Sequence, residues 1–180
     1  MILLRHGQSY FNLHYAATRV DPGIPDPRLT DAGRQQALAA VAHLGARRLK
    51  RLVASPYMRA LETAQIIAEA LSLPITVEPL VRERAAFTCD IGTAASELAR
   101  LWPKLSFDHL AERWWGEREE SEAELALRAD AFRRAMAATP DWPEVAVVTH
   151  WGFIRALTGE TVTNGAHLAF DPTAAGAMPG

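Results

Sequence analysis

The hydrophobic positions of the chain fall into two alternating patterns. Short continuous apolar runs are typical of buried strands, whereas apolar residues spaced three to four apart indicate one face of a helix. The runs predict strands at residues 2–4, 51–55 and 145–149, a strand or a strand plus a turn at 75–81, and an edge strand at 166–170. Strands that alternate with helices favour a mainly parallel sheet covered on both faces. The predicted fold is therefore an α/β protein, a three-layer α/β/α sandwich.

Capping residues mark the ends of the predicted helices. The first helix follows a proline-rich loop and has Thr30 or Asp31 as its N-cap. Ser55 followed by Pro56 predicts the start of the next helix, a cap and then a first-turn proline. The pattern weakens over residues 82–120. Further helices are predicted over 93–101, from a capping box at 121–124, and from the residues after His150 to Gly159.

Length and composition narrow the classes of protein. The 180 residues, 49% hydrophobic and 22% charged, suit one soluble domain over 1–180, with a tail from about residue 171 that we expect to be disordered. No apolar run approaches the roughly 20 residues that cross a bilayer. A net charge of -2 gives no general attraction to nucleic acid or to anionic membranes. Neither kind of partner is expected.

The start of the chain and its cysteine content suggest a compartment. Met1 is followed directly by apolar residues without the pattern of a signal peptide, so we expect a cytoplasmic protein. The single cysteine, Cys89, cannot form an internal disulfide, which agrees with that location. We expect Cys89 to be a structural or surface thiol.

Charged side chains follow the predicted strands at the points where the strands end. Arg5 and His6 end the first strand, Arg59 lies just after the second, Glu83 follows the third, and His150 ends the strand at 145–149. The carboxyl ends of parallel strands share one edge of a sheet, and ligands collect beyond that edge. The sequence therefore predicts that these five side chains meet in one site.

The residue types in this site suit a phosphate ester. Arginine has a planar fork of donors that matches phosphate oxygens, and Gly7 lets the chain turn and approach a ligand closely. A neutral histidine is a nucleophile, and a second histidine beside a dianion is favoured as imidazolium. Glu83 is the candidate proton donor to the leaving oxygen. The adjacent arginines repel cations, so we expect neither a metal ion nor another cofactor.

Several motifs, taken in order, resemble the histidine phosphatase superfamily, the phosphoglycerate-mutase-like fold. They are "LLRHGQS" with Asn12, "DPRLTDAGRQQA", "ASPYMRALETA", the glutamate of "VRER", and "VVTHWG". The resemblance covers residues 2–155. It implies that His6 is the nucleophile and forms a phosphohistidine, with Arg5, Arg59 and His150 around the phosphoryl group. It also implies phosphate binding by Asn12 and by the backbone N–H of Trp151, and a proton donor at Glu83.

The predicted activity is hydrolysis of a phosphorylated small molecule, with two alternatives. The first is a phosphoglycerate-mutase-type phosphoryl transferase. After Glu83, however, the chain lacks the basic, aromatic and glycine-rich sequence that the resemblance would require of a true phosphoglycerate mutase. The second is a phosphate-binding module without turnover. Trp114 and Trp115 either pack a loop onto the body or line the mouth of the site, and the substrate and the oligomeric state stay open.

Overall fold

A five-stranded sheet forms the centre of the computed structural model, which describes residues 1–174. The strands are β1 (Ile2–Arg5), β2 (Arg51–Ala54), β3 (Ile75–Val77), β4 (Val145–Thr149) and β5 (His167–Ala169). They lie in the order β3-β2-β4-β1-β5. Neighbours among β1 to β4 pair in parallel, and β5 pairs with β1 antiparallel. The predicted α/β fold with a mainly parallel sheet is confirmed.

Within residues 1–174, six α-helices accompany the sheet. They are α1 (Tyr10–Thr18), α2 (Asp31–Gly45), α3 (Met58–Leu71), α4 (Ala95–Leu101), α5 (Glu122–Ala137) and α6 (Trp151–Thr158). Thr30 caps α2, since its hydroxyl accepts a hydrogen bond from the Gly33 N–H at 3.0 Å. The predicted capping box of Ser121 and Glu124 also forms at the start of α5.

The local predictions missed one helix and misplaced the start of another. Helix α1 was not predicted, because only Phe11 among its residues is buried and no apolar stripe marks it. The helix expected to open at Ser55 and Pro56 begins at Met58 instead. At 75–81 the alternative of a strand plus a turn is confirmed: the strand ends at Val77, and a 3-10 turn follows over Pro79–Val81. Proline has no N–H to donate, so it interrupts the ladder there.

Alternate side chains of the buried strands point to opposite faces of the sheet. Leu4, Leu52 and Val148 face a core shared with α2 and α3. Leu3, Val53 and Val147 face a second core that contains Phe132 of α5 and Phe153 of α6. Both faces of the sheet are thus buried, which is why these strands read as continuous apolar runs. The shared carboxyl edge of the sheet stays free for a site.

The C-terminal residues of the described range pack against the body. Asp171 accepts hydrogen bonds from the backbone and hydroxyl of Thr173, and the Pro172 carbonyl accepts one from Arg133 Nη1 at 3.2 Å. The rest of the tail predicted to be disordered, residues 175–180, lies outside the described residues. Among residues 1–174, no helix combines the length and apolar character needed to cross a membrane.

Candidate active site

A pocket of about 520 Å³ opens at the carboxyl edge of the sheet. Six of the predicted site residues line it: Arg5, His6, Asn12, Arg59, Glu83 and Trp151. His150 and Gly7 do not line the pocket, and both are buried behind its lining residues. The topology therefore brings the predicted residues together from four separate stretches of the chain.

His6 is held in one tautomer. Its Nδ1 lies 2.7 Å from the carbonyl oxygen of Gly7. A carbonyl oxygen only accepts, so Nδ1 carries the proton and the lone pair is on Nε2. Burial, followed by the positive charges of Arg59 and Arg5, lowers the pKa of His6 well below its usual value. The ring is thus a neutral imidazole with a nucleophilic Nε2 at neutral pH.

His150 is fully buried against His6. The two ring centroids are 5.0 Å apart, and His150 Nε2 lies 2.8 Å from the hydroxyl of Ser55. Burial and then the charge of Arg59 lower the pKa of His150 well below its usual value. The ring is therefore neutral in the free protein, and the imidazolium form expected from the sequence requires a bound anion to offset these effects.

The two arginines occupy different environments. Arg5 Nη1 donates to the Val162 carbonyl at 2.9 Å, and its buried Nε has no hydrogen-bond partner among the described residues. Arg59 is buried and donates to the Cys89 carbonyl at 2.8 Å and to Asp90 Oδ1 at 3.0 Å. Both guanidinium groups border the pocket. Arg59 is fixed by protein partners before any ligand arrives.

Glu83 is partly buried and lines the same pocket as these cations. Its Oε1 accepts from the Arg84 N–H at 2.9 Å and its Oε2 from the Gly152 N–H at 3.2 Å. Burial, and then the negative charge of Asp90, raise the pKa of Glu83. The protonated carboxyl is favoured relative to an exposed glutamate, which suits a proton donor.

Gly7 and Asn12, both predicted to bind phosphate, make different contacts in the structure. A Cβ on Gly7 would overlap the Gly33 carbonyl, so this glycine serves close backbone packing against α2 and not approach to a ligand. The Gly7 N–H already donates to Thr63. Asn12 Oδ1 accepts from Ser9 and from Asn164 Nδ2. This arrangement leaves the Asn12 Nδ2 as the donor available to an anion in the pocket.

Comparison with known proteins identifies the family. A family model described as histidine phosphatase superfamily (branch 1) matches residues 1–173. The chain belongs to this superfamily. The predictions of the family and of an enzyme of the histidine phosphatase type are thereby confirmed.

Named relatives include phosphatases and a mutase. The chain is 29% identical over 171 residues to a glucosyl-3-phosphoglycerate phosphatase of Mycolicibacterium vanbaalenii, covering 88% of this chain and 72% of the relative. The native structure of a mycobacterial glucosyl-3-phosphoglycerate phosphatase is similar, with a TM-score of 0.62, 27% identity and coverage of 88% and 77%. A 2,3-bisphosphoglycerate-dependent phosphoglycerate mutase of Bartonella henselae is 39% identical over 89 residues, 47% of this chain and 41% of the mutase.

Two site features of this histidine phosphatase were missed from the sequence. Asp90 is a buried carboxylate that lines the pocket, and it lies in the segment where the sequence pattern is weakest. Gly152 follows the strand end at His150, and a Cβ there would lie 2.5 Å from Glu83 Oε1. The "HWG" triplet was a visible signal for Gly152, but its contact with Glu83 joins residues far apart in sequence.

The remaining candidates are structural. Burial raises the pKa of the Cys89 thiol, which keeps it protonated and agrees with a structural role. Trp114 packs edge-on against Tyr57 at 4.7 Å between ring centroids and donates Nε1 to the Thr93 carbonyl. Trp114 and Trp115 both lie outside the pocket lining, so they pack the loop onto the body. Within residues 1–174, no cluster of three or more His, Cys, Asp or Glu side chains is placed to hold a metal ion.

Proposed function

We propose that this histidine phosphatase hydrolyses phosphomonoesters of small molecules through a phosphohistidine on His6, without a metal ion. One observation carries the proposal: a neutral His6, with its lone pair on Nε2, shares a pocket with Arg5, Arg59 and a partly buried Glu83. The arginines supply the positive charge that a transferred phosphoryl group requires.

In the first step, His6 Nε2 attacks phosphorus. The N–P bond forms while the P–O bond to the leaving alcohol breaks, and Glu83 gives its proton to the departing oxygen. The products of this step are phosphohistidine, free alcohol and the Glu83 carboxylate. The raised pKa of Glu83 supports its role as the donor.

In the second step, water attacks the phosphohistidine. The Glu83 carboxylate takes a proton from the water as the new O–P bond forms and the N–P bond breaks. Inorganic phosphate leaves, and both His6 and protonated Glu83 are regenerated. Arg5, Arg59, the Asn12 amide and the backbone N–H of Trp151 are the proposed donors to the phosphoryl oxygens in both steps. His150 is proposed to become the imidazolium beside them once the dianion is bound.

The basic residues of the 85–120 segment favour hydrolysis over transfer. A mutase must hold a second charged group of its substrate while it excludes water. Arg100, Arg113 and Arg118 instead form ion pairs with Glu97, Glu117 and Glu124. None of these three arginines lines the pocket in the described part of the chain, and neither does Lys104. The 85–120 segment therefore supplies no cation to the pocket, and the further arginines of the lining, Arg19, Arg84 and Arg155, lie outside that segment.

The first experiment measures phosphate release from a panel of phosphomonoesters that includes glucosyl-3-phosphoglycerate, with EDTA present. Wild type is compared with His6→Ala and, as a control, with His14→Ala, which changes an exposed histidine on α1. We expect release by wild type and by the control, and loss in His6→Ala. Rapid quenching with a radiolabelled ester should trap an acid-labile, alkali-stable phosphoprotein.

Four outcomes would contradict the proposal. Undiminished release by His6→Ala excludes His6 as the nucleophile. Activity that disappears with EDTA points to a metal-dependent reaction. Interconversion of 3-phosphoglycerate and 2-phosphoglycerate with little free phosphate would identify a mutase, and phosphate binding without release from any ester would indicate the module without turnover.

A further inference from the structure

Three aromatic side chains form one side of the pocket, and we call them the aromatic wall: Phe11, Tyr15 and Phe87. Phe11 and Tyr15 stack with ring centroids 5.2 Å apart and an interplanar angle of 13°. Phe87 contacts both rings, each at a centroid distance of 5.3 Å. Each member of the wall therefore contacts the other two.

The aromatic wall joins two separate segments. Phe11 and Tyr15 lie on α1, whereas Phe87 lies in the loop after Glu83. The Asp21 carboxylate accepts a hydrogen bond from the Thr88 N–H at 2.8 Å, which ties the region after α1 to that loop. The Phe87 N–H itself donates to Asp90 at 3.1 Å. Its backbone is therefore held on both sides, and the ring position is set by the fold.

The exposure of Phe87 suggests a role beyond packing. Phe11 is buried, whereas Phe87 is 43% exposed although it lies in a concave pocket. Trp151, 39% exposed, lines the same pocket, and the Arg155 guanidinium lies 5.5 Å from the centre of its ring. Aromatic walls are typical of sites for organic ligands, and here they stand beside the charged side chains of Arg19, Arg84 and Arg155.

The size of the pocket agrees with a bulky leaving group. Its 520 Å³ lies within the range of about 300–1,000 Å³ found for small-molecule sites. The buried end carries His6 and Arg59, which suit the phosphoryl group, and the exposed aromatic rings stand beyond them. An ester held by its phosphate at the buried end would extend its alcohol portion toward the aromatic wall.

We propose that the preferred substrates are phosphomonoesters whose leaving alcohol carries an aromatic or heteroaromatic ring, which packs against the aromatic wall. The proposal rests on the proposed phosphatase function and adds the chemical class of the leaving group. Aromatic pairs gain attraction beyond the area they bury, because their quadrupoles favour offset and edge-to-face contacts. Phe87 is the specificity-determining residue in this arrangement, since its ring is the most exposed of the three.

The test uses benzyl, cyclohexylmethyl and ethyl phosphate, three esters of primary alcohols with the same scissile linkage. We expect kcat/KM to be highest for benzyl phosphate and lowest for ethyl phosphate. Benzyl phosphate should exceed cyclohexylmethyl phosphate by about fivefold, the advantage of an aromatic pair over apolar burial alone. Equal values for benzyl and ethyl phosphate in the wild type would overturn the proposal while leaving the phosphatase function intact.

Variants locate the preference on the aromatic wall. Phe87→Ala should reduce kcat/KM for benzyl phosphate by a larger factor than for ethyl phosphate. Phe87→Leu should abolish the preference for benzyl over cyclohexylmethyl phosphate. Tyr10→Ala is the matched control, because Tyr10 is an aromatic residue on α1 that is 51% exposed and does not line the pocket. A benzyl preference that survives Phe87→Ala, with an unchanged melting temperature, would contradict the proposed role of Phe87.

A binding measurement separates the two proposals. Isothermal titration calorimetry compares benzylphosphonate with cyclohexylmethylphosphonate and methylphosphonate, none of which can be hydrolysed as an ester. Tighter binding of benzylphosphonate, reduced by Phe87→Ala, supports the aromatic wall even if no ester releases phosphate, in which case the phosphatase function alone fails. Equal affinity for all three compounds would overturn the proposal that the aromatic wall binds the ring of the leaving group, whatever the activity assay shows.

Discussion

The carboxylate of Asp90 lies 3.0 Å from Nη2 of Arg59, and both side chains are buried. A pocket proposed to bind a phosphate dianion thus contains a buried negative charge. Asp90 also accepts the N–H groups of Ala86 and Phe87 at 3.1 Å. It therefore orients the Arg59 guanidinium and shapes the loop that carries the aromatic wall.

The first prediction concerns the pH profile of Asp90→Asn. The variant removes the charge but keeps an oxygen that can accept from Arg59. Because the charge of Asp90 helps to raise the pKa of Glu83, its loss lowers that pKa. Glu83 then loses its proton at a lower pH, so the basic limb of the kcat profile should shift to lower pH.

Glu122→Gln is the matched control for Asp90→Asn. Glu122 also lines the pocket, but it is largely exposed and paired with Arg84. Solvent screens such a charge, so the variant should leave the pH profile in place. An unshifted basic limb in Asp90→Asn would show that Asp90 does not act on the proton donor.

The second prediction separates proton donation from phosphate binding. Glu83→Gln should lower kcat for ethyl phosphate by about a hundredfold, because an alkoxide leaving group needs the proton. 4-Nitrophenyl phosphate has a stable leaving anion, so its hydrolysis should fall much less. An equal loss for both esters would contradict the role of Glu83 as donor.

The third prediction tests whether Gly152 makes room for that donor. A Cβ at Gly152 would lie 2.5 Å from Glu83 Oε1, so Gly152→Ala must displace the carboxyl group. We expect the same selective loss with ethyl phosphate as in Glu83→Gln. A melting temperature close to that of the wild type would show that the effect is local. Unchanged hydrolysis of ethyl phosphate would indicate that Glu83 adapts without loss.

The fourth prediction concerns stability. A Cβ on Gly7 would overlap the backbone of Gly33, which cannot move as a flexible side chain does. Gly7→Ala should lower the free energy of unfolding by about 1–3 kcal/mol, measured by urea denaturation. Gly45→Ala is the control in α2, since its Cβ would meet only Leu71 Cδ2 at 3.3 Å. A Gly7→Ala protein as stable as the wild type would exclude close packing as the reason for this glycine.

The fifth prediction follows from the buried histidines. The pKa values of His6 and His150 are lowered in the folded protein. Below about pH 6.5 these histidines therefore bind protons in the unfolded chain but stay neutral in the native state. The free energy of unfolding should therefore fall as the pH drops below that value, by up to about 1.4 kcal/mol per pH unit for each histidine. His6→Gln should make this slope shallower. Parallel slopes in both proteins would contradict the lowered pKa of His6.

Much of the site could be predicted because its signals are local. Arg5, His6 and His150 stand at the ends of apolar runs, and parallel strands deliver their carboxyl ends to one edge. Thr30 and the Ser121 to Glu124 capping box were recognisable for the same reason, since a cap acts on backbone groups within one turn. The resemblance in motif order then connected these ends to a phosphoryl-transfer chemistry.

Other residues could not be interpreted in this way. Ser55 has the sequence of a helix cap, yet its hydroxyl pairs with His150, because a buried imidazole nitrogen needs a partner. Asp90 and Phe87 lie in a segment without periodicity, where no local pattern shows which side chain turns inward. Helix α1 is anchored by few buried residues, so it left no apolar stripe to detect.

The sequence by itself determined the strand and helix order of most of the chain, the family, and the side chains that stand at the strand ends. These follow from apolar periodicity and from capping groups that act between near neighbours. Only the tertiary structure decided that Asp90 holds Arg59, that Gly152 makes room for Glu83, and that Phe11, Tyr15 and Phe87 form one wall. The contacts of Asp90 with Arg59, of Gly152 with Glu83 and of Phe87 with α1 join residues far apart in the chain, so they form only after the sheet and its loops have packed.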